Sequence, residues 1–355
     1  MLFSILVMET ALLHKVKVVD IISETALAKT LILQPLNEWH PSYKPGQFIT
    51  LLFYNTGTEK RRSYSLISDP LKDQFLHITV KRVPNGEYSR YLLDYVVTGD
   101  EFYTTGIAGF FTLSEEKDYH IKQLFFMAAG SGITPVFSLI CSALQNWSDV
   151  FITLIYSNRN KNDVIFYERL RTLQLAHGER LRIEWLFSDS LNTRTSRLSN
   201  YLLNILLKLY VPAGKHALFY MCGPFDYMLM IQITLLAYGV PLKHIYKEQF
   251  STLPRLVKPV PPDTDLHNAA IHIGSKVYDL PVQYPSTILN TAKAHNIILP
   301  YSCEAGRCGS CAARCTSGKI WMAYNEVLTD DEIAKGRVLV CQAYPVGGDV
   351  VIEFD

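Results

Sequence analysis

Four residues separate Cys303 from Cys308, two separate Cys308 from Cys311, and Cys341 follows after a gap of 29 residues. Five of the seven cysteines fall in the last 53 residues. Disulfide scaffolds are short, cysteine-dense and secreted, so clustered thiols in a 355-residue chain point instead to metal or redox chemistry inside a cell. C-x4-C-x2-C…C is a spacing that ligates a 2Fe–2S cluster. The intervening Glu304-Ala305-Gly306-Arg307 and Gly309-Ser310 form a glycine-containing loop whose backbone N–H groups can crowd the sulfurs and stabilise the cluster's negative charge. Zinc is the alternative, but zinc modules show paired C-x2-C knuckles and only one such pair is present. Cys303, Cys308, Cys311 and Cys341 are the expected metal ligands. Cys315, in the strand-like Ala312–Thr316, reads as a buried small hydrophobe.

A chain of this length holds two to three domains of about 150 residues. Lys plus Arg total 34 against 33 Asp plus Glu, a balance that argues against nucleic acid as a partner. No apolar run reaches the roughly 18 residues of a membrane span. The apolar Leu2–Val7 has neither the basic lead nor the small-residue cleavage site of a secretory signal, so translation is expected to start at Met1 or Met8 and the protein to be cytoplasmic.

Three textures divide the chain. In 1–113, β-branched and aromatic runs such as Phe48–Phe53 and Phe75–Val80 are broken by turns like Pro84-Asn85-Gly86, as in an antiparallel barrel or sandwich. In 114–250, solid apolar strands (123–128, 151–156, 183–187, 217–221) alternate with amphipathic helical stretches (135–145, 164–176, 198–209, 225–238), the pattern of a doubly wound parallel α/β sheet. Residues 251–265 hold four prolines and read as a semi-rigid linker, and 266–355 carry the cysteines among short strands and turns.

After the strand ending at Ala129, Gly130-Ser131-Gly132-Ile133-Thr134-Pro135 opens a helix. A glycine turn there lets a pyrophosphate approach backbone N–H groups at the positive helix end. A plain tight turn is the alternative, because Pro135 replaces the last glycine of the dinucleotide fingerprint. Cys222-Gly223-Pro224 follows another strand, at the carboxyl edge where open α/β sheets bind ligands. Arg62-Ser63-Tyr64-Ser65 ends a barrel-like strand and offers a cation, an aromatic ring and hydroxyls.

Arg62-x-Tyr64-Ser65, Gly86-x-x-Ser89, Gly130-x-Gly132-x-x-Pro135, Cys222-Gly223-Pro224 and the cysteine pattern occur in one order. Together they resemble the ferredoxin–NADP reductase superfamily carrying a fused C-terminal plant-type ferredoxin domain; length and domain order resemble the reductase subunits of phenylacetyl-CoA epoxidase systems. The resemblance implies an FAD-binding antiparallel β-barrel, a doubly wound nucleotide domain and a β-grasp ferredoxin domain. It implies that Arg62 binds the flavin pyrophosphate, Tyr64 packs on the flavin and Ser65 bonds near its N5, with Ser63 beside them. Val80 and Lys81 would line the flavin, and Gly86, Glu87, Tyr88 and Ser89 would supply phosphate contacts. Thr134 would sit between flavin and nicotinamide, Cys222 close to the hydride path, and Glu248 and Phe250 would form the acidic-x-aromatic end of the reductase core.

Two departures stand out. Ile107-Ala108-Gly109-Phe110-Phe111 lacks the proline of the family's Pro-x-Gly-x-Phe, and Ser196-Arg197-Leu198 replaces Gly-Arg-Leu. The strand end Tyr156-Ser157-Asn158-Arg159 has no acidic residue, so Arg159, Arg194 and Arg197 are candidates for a 2′-phosphate, favouring NADPH over NADH. The implied activity passes electrons from NAD(P)H through FAD to the 2Fe–2S cluster and on to an oxygenase or other acceptor protein. The alternatives are an NADH-linked, FAD- or FMN-bound reductase of a Rieske-type oxygenase, hydroxylase or desaturase, and a non-enzymatic iron–sulfur carrier or sensor. Oligomeric state leaves no local motif.

Overall fold

The computed structural model of the chain describes residues 13–54, 59–113, 121–192, 196–211, 216–250 and 259–354. The N-terminal stretch with Met1 and Met8, the expected boundary at Ser114, Arg194 and the first half of the expected linker lie outside these residues.

The first unit comprises β1 (His14–Thr25), β2 (Ala28–Pro35), β3 (Phe48–Phe53), β4 (Lys60–Ser65), β5 (Leu76–Lys81), α1 (Glu87–Asp94) and β6 (Glu101–Ala108). The sheet runs β4-β3-β6-β1-β2-β5 with antiparallel pairing throughout. A bridge from Leu66 to Ile78 joins the two ends and closes the barrel. Closure removes the sheet edges and buries Val16, Val18, Leu31, Leu33, Ile49, Leu51 and Ile78 in one core.

The second unit alternates β7 (Ile121–Ala129), α2 (Ile133–Asn146), β8 (Phe151–Asn158), α3 (Tyr167–His177), β9 (Leu181–Phe187), α4 (Asn200–Tyr210), β10 (His216–Cys222), α5 (Phe225–Ala237) and β11 (Ile245–Glu248). Its parallel order is β11-β10-β7-β8-β9. Because side chains alternate along a strand, Leu124, Phe126 and Ala128 pack toward α2 and α3 while Phe125 and Met127 pack toward α4 and α5. Two buried faces explain why these strands read as unbroken apolar runs. The chain leaves β7 toward β8 and returns to β10 on the other side, so the switch point lies between β7 and β10.

The third unit contains β12 (His267–Ile273), β13 (Lys276–Val282), α6 (Ile288–Ala294), β14 (Ala312–Ser317), β15 (Ile320–Met322), α7 (Asp330–Ala334), β16 (Arg337–Leu339), β17 (Ala343–Pro345) and β18 (Val350–Phe354). The sheet order is β13-β12-β18-β14-β16, with the first and last strands of the unit parallel at its centre and α6 packed over it, a β-grasp arrangement. Cys315 is half-buried rather than buried, packing against this core and donating to the Ser317 carbonyl at 3.2 Å. The described end of the linker is tied down: Pro261 is buried, and the Asp263 carboxylate meets the Gly347 N–H at 2.6 Å and His267 Nε2 at 2.7 Å.

Candidate functional site

Two cavities border the parallel sheet, one over its carboxyl edge and one along its edge strand β11. The smaller, of about 690 Å³, sits over the switch point and is lined by residues following β7, β8, β9 and β10, with Lys81 reaching in from the barrel. Gly132 makes it possible. A Cβ there would stand 2.0 Å from the Cys222 carbonyl oxygen, so the two loops can meet only with glycine at this position. Among the described residues, Lys81, Arg159 and Arg197 are the charged side chains that line this cavity, and no carboxylate does. Its composition therefore fits the anionic pyrophosphate of a dinucleotide. Thr134 and Pro135 are buried in the first turn of α2, where the Thr134 hydroxyl donates to the Ser131 carbonyl at 3.0 Å; neither lines the cavity. Cys222 is also buried, and desolvation followed by the neighbouring Glu248 holds its thiol well above the usual range, so it is a neutral S–H.

The larger cavity, of about 910 Å³, is a cleft between the barrel, the edge strand β11 and the cysteine loop. Arg62, Ser63 and Ser65 of β4 line one side; Ser302, Cys303, Arg307 and Cys308 line the other. Phe250 borders both cavities. On one face of β4 the Arg62 guanidinium lies 4.6 Å above the ring of buried Tyr88, and Tyr64 packs on the barrel core, which pushes its phenol up by desolvation. Behind them α1 starts at Glu87, directly after Gly86, with no side-chain cap on its first turn. Those open N–H groups beside Arg62 suit a phosphate. Ser89 folds back, its hydroxyl accepting from Val83 N at 3.1 Å and donating to the Gly86 carbonyl at 3.3 Å. Glu87 is exposed and Val80 lies inside the barrel core.

Ser65, on the opposite face of β4, donates to Glu248 Oε2 at 3.1 Å. Glu248 is 8% exposed, and burial raises its carboxyl to about 8 despite that hydrogen bond. A barrel hydroxyl thus meets a protonated acid of the nucleotide domain at the cleft wall.

The four cysteines converge in two pairs, with Cys303 against Cys308 and Cys311 against Cys341. Among the described residues no three His, Cys, Asp or Glu side chains converge as a single metal ion requires. Two sulfurs for each of two metal positions is the donor set of a two-iron cluster, not of tetrahedral zinc. The Cys308 contact first, then N–H groups of Ala305 and Arg307 at 3.4 Å, hold the Cys303 thiol below its ordinary range against the opposing effect of burial. Gly309 has φ +75°, and a Cβ on it would lie 2.6 Å from the ring of Phe110, so the loop lies flat against the barrel's last turn. Cys311 and Cys341 are buried in the core, whereas Cys303 and Cys308 face the cleft. Arg61, which the motif reading left out, is buried where barrel and cysteine loop meet; strand alternation from Ser63 and Ser65 was the signal available for it.

Family comparison matches residues 17–112 to an oxidoreductase FAD-binding domain, 126–233 to an oxidoreductase NAD-binding domain and 271–346 to a 2Fe-2S iron-sulfur cluster binding domain. The chain is 33% identical, over 94% of its length and 95% of the relative's, to the ferredoxin reductase component of 3-ketosteroid-9-alpha-monooxygenase from Rhodococcus rhodochrous. It is 32% identical to a subunit of the 1,2-phenylacetyl-CoA epoxidase from Escherichia coli K12, over 96% and 98% of the two chains. The solved phthalate dioxygenase reductase shares the fold, with TM-score 0.59 and 22% identity over 96% and 97% of the chains. The chain belongs to the ferredoxin–NADP reductase superfamily, as an electron-transfer oxidoreductase with FAD-binding, NAD-binding and C-terminal 2Fe–2S ferredoxin domains.

Proposed function

We propose that this reductase draws on NADPH in preference to NADH and serves an oxygenase of the phenylacetyl-CoA epoxidase type. The charge of the smaller cavity carries the nucleotide choice: Arg159 and Arg197 line it from the loops after β8 and β9, with no carboxylate among the described residues to engage free ribose hydroxyls. Flavin, when bound, supplies the conversion of a two-electron hydride into single electrons. The chain's own residues position it: Arg62 and the open turn at Gly86 hold phosphate, Tyr64 offers a ring, and Phe250 separates the two cavities. At neutral pH Glu248 retains its proton and Ser65 donates to it, so the pair keeps a proton store at the cleft wall. Cys303, Cys308, Cys311 and Cys341 hold the cluster. The units are assigned to 1–113, 114–250 and 266–355, joined by 251–265.

The epoxidase assignment rests on the resemblance in length and domain order and on 32% identity to the epoxidase relative over nearly the whole chain; a 3-ketosteroid monooxygenase partner is the second reading, favoured by the 33% identity to its reductase component. Anaerobic titration with NADPH and NADH tests the donor. Flavin and cluster bands should bleach at lower NADPH than NADH; the reverse order overturns the nucleotide choice. Coupled turnover with each purified oxygenase tests the acceptor, and product formed only with the steroid enzyme overturns the epoxidase reading.

A further inference from the structure

Strand β4 has two faces. Arg62 and Tyr64 point to the phosphate site and barrel core, whereas Arg61, Ser63 and Ser65 share the other face. Ser65 meets Glu248, but Arg61 and Ser63 cross to the ferredoxin domain. Arg61 is only 5% exposed. Its Nη1 donates to the carbonyls of Leu299 at 3.2 Å and Tyr301 at 3.3 Å, and its guanidinium lies 3.6 Å above the Tyr301 ring. Its Nε donates to Glu59 Oε1 at 2.6 Å, and the Tyr301 hydroxyl reaches the same carboxylate at 3.4 Å. Further along the same face, the Ser63 hydroxyl donates to Ser302 Oγ at 2.8 Å.

Burying a guanidinium is costly unless its donors are met, and here the carbonyls and ring that meet it belong to a different domain. The bonds exist only while the two domains are docked. Their partners at 299, 301 and 302 immediately precede Cys303, one of the two cluster ligands that face the cleft. Phe110, packed against Gly309, holds the far side of the same loop. The loop is thus fixed at both ends of the cleft by the barrel that carries the flavin motif.

We propose that Arg61 is a positioning residue that latches the ferredoxin domain to the barrel and fixes the cysteine loop at the flavin cleft. The proposal rests on the reading that electrons pass from flavin to cluster. Because electron tunnelling falls exponentially with distance, an undocked cluster would receive electrons slowly even with both cofactors intact. Latched transfer requires no swing of the domain between loading positions.

The test uses the full-length holoprotein and its Arg61→Ala and Arg61→Lys variants. Flavin and cluster absorbance should keep the wild-type ratio, and ferricyanide reduction by nicotinamide, which needs only flavin, should stay at the wild-type rate. Losing hydrogen bonds to a charged group should lower the docked-to-undocked ratio by about tenfold or more, slowing the stopped-flow phase in which the cluster is reduced. Hydrogen exchange across 299–303 should rise in parallel, with Arg61→Lys intermediate, because an ammonium keeps charge without the planar fork. Unchanged transfer and exchange in Arg61→Ala would overturn the latch. Loss of cluster bands in both variants would also overturn it, by making Arg61 a folding requirement of the loop. If the wild-type cluster is never reduced by nicotinamide, the underlying electron path fails, and the latch with it.

Discussion

The cysteine loop and the cavity proposed for the nucleotide bring their residues together in opposite ways. Three of the four proposed cluster ligands lie within nine residues, and backbone N–H groups of the same loop reach the Cys303 sulfur. The nucleotide cavity has no such local unit; it is assembled from turns after four strands of the parallel sheet, together with Lys81 of the barrel and Phe250 beyond the last strand. A site written in one short stretch depends on its ligands, whereas a site assembled by topology depends on how closely separate backbones can approach. Substitutions should therefore act locally and completely in the first and by graded displacement in the second.

Cys308→Ser should show the largest effect. With one of its four thiolates missing, the cluster bands should be lost and reduction of the protein acceptor should fall to background, while nicotinamide-driven ferricyanide reduction persists. Visible absorption and the two assays side by side check this. Loss of the ferricyanide activity as well would break the comparison, because the loop would then be supporting the barrel.

Gly132→Ala is the counterpart in the assembled site. The new methyl group, 2.0 Å from the Cys222 carbonyl oxygen, must push two loops apart, at a cost of about 1–3 kcal/mol of stability. KM should rise for NADPH and NADH alike, since the displacement affects the shared pyrophosphate seat, and the cluster bands should be unchanged. Thermal denaturation and steady-state kinetics measure both.

Arg159→Ala or Arg197→Ala should be milder and selective. A charge-assisted hydrogen bond to a 2′-phosphate is worth about 1.5–3 kcal/mol, so KM for NADPH should rise roughly tenfold or more with that for NADH little changed. Equal effects on both nucleotides would mean that these arginines serve the pyrophosphate instead.

The same contrast explains what could be read in advance. The cysteine spacing, the alternation of strands and helices, and the glycine turn at Gly130–Gly132 are local patterns with local physical causes, so each is visible in the order of residues. Arg61 shows where this stops. Arg61 stands next to the motif arginine and differs from it only in strand parity, and its partners in the ferredoxin domain lie 238 and 240 residues away. Parity can say that Arg61 faces away from Arg62, but only the docking of two domains says what it faces.

Glu248 gives the finest probe of contact between separate units. Its carboxyl is buried by the meeting of barrel and nucleotide domain, and that burial raises it from the ordinary 4.5 to about 8. A raised carboxyl means that the folded protein binds more protons than the unfolded chain across the interval between those values. Stability contributed by this group is therefore present at the acidic end and lost progressively as pH rises from about 5 to about 8. Glu248→Gln keeps the acceptor for Ser65 and removes the titration, so melting temperature should decline less steeply across that interval than in the wild type. An unchanged slope would mean that water enters the cleft beside Glu248 and keeps its carboxyl near the ordinary value. The barrel would then meet the nucleotide domain less tightly there than the Ser65–Glu248 contact implies.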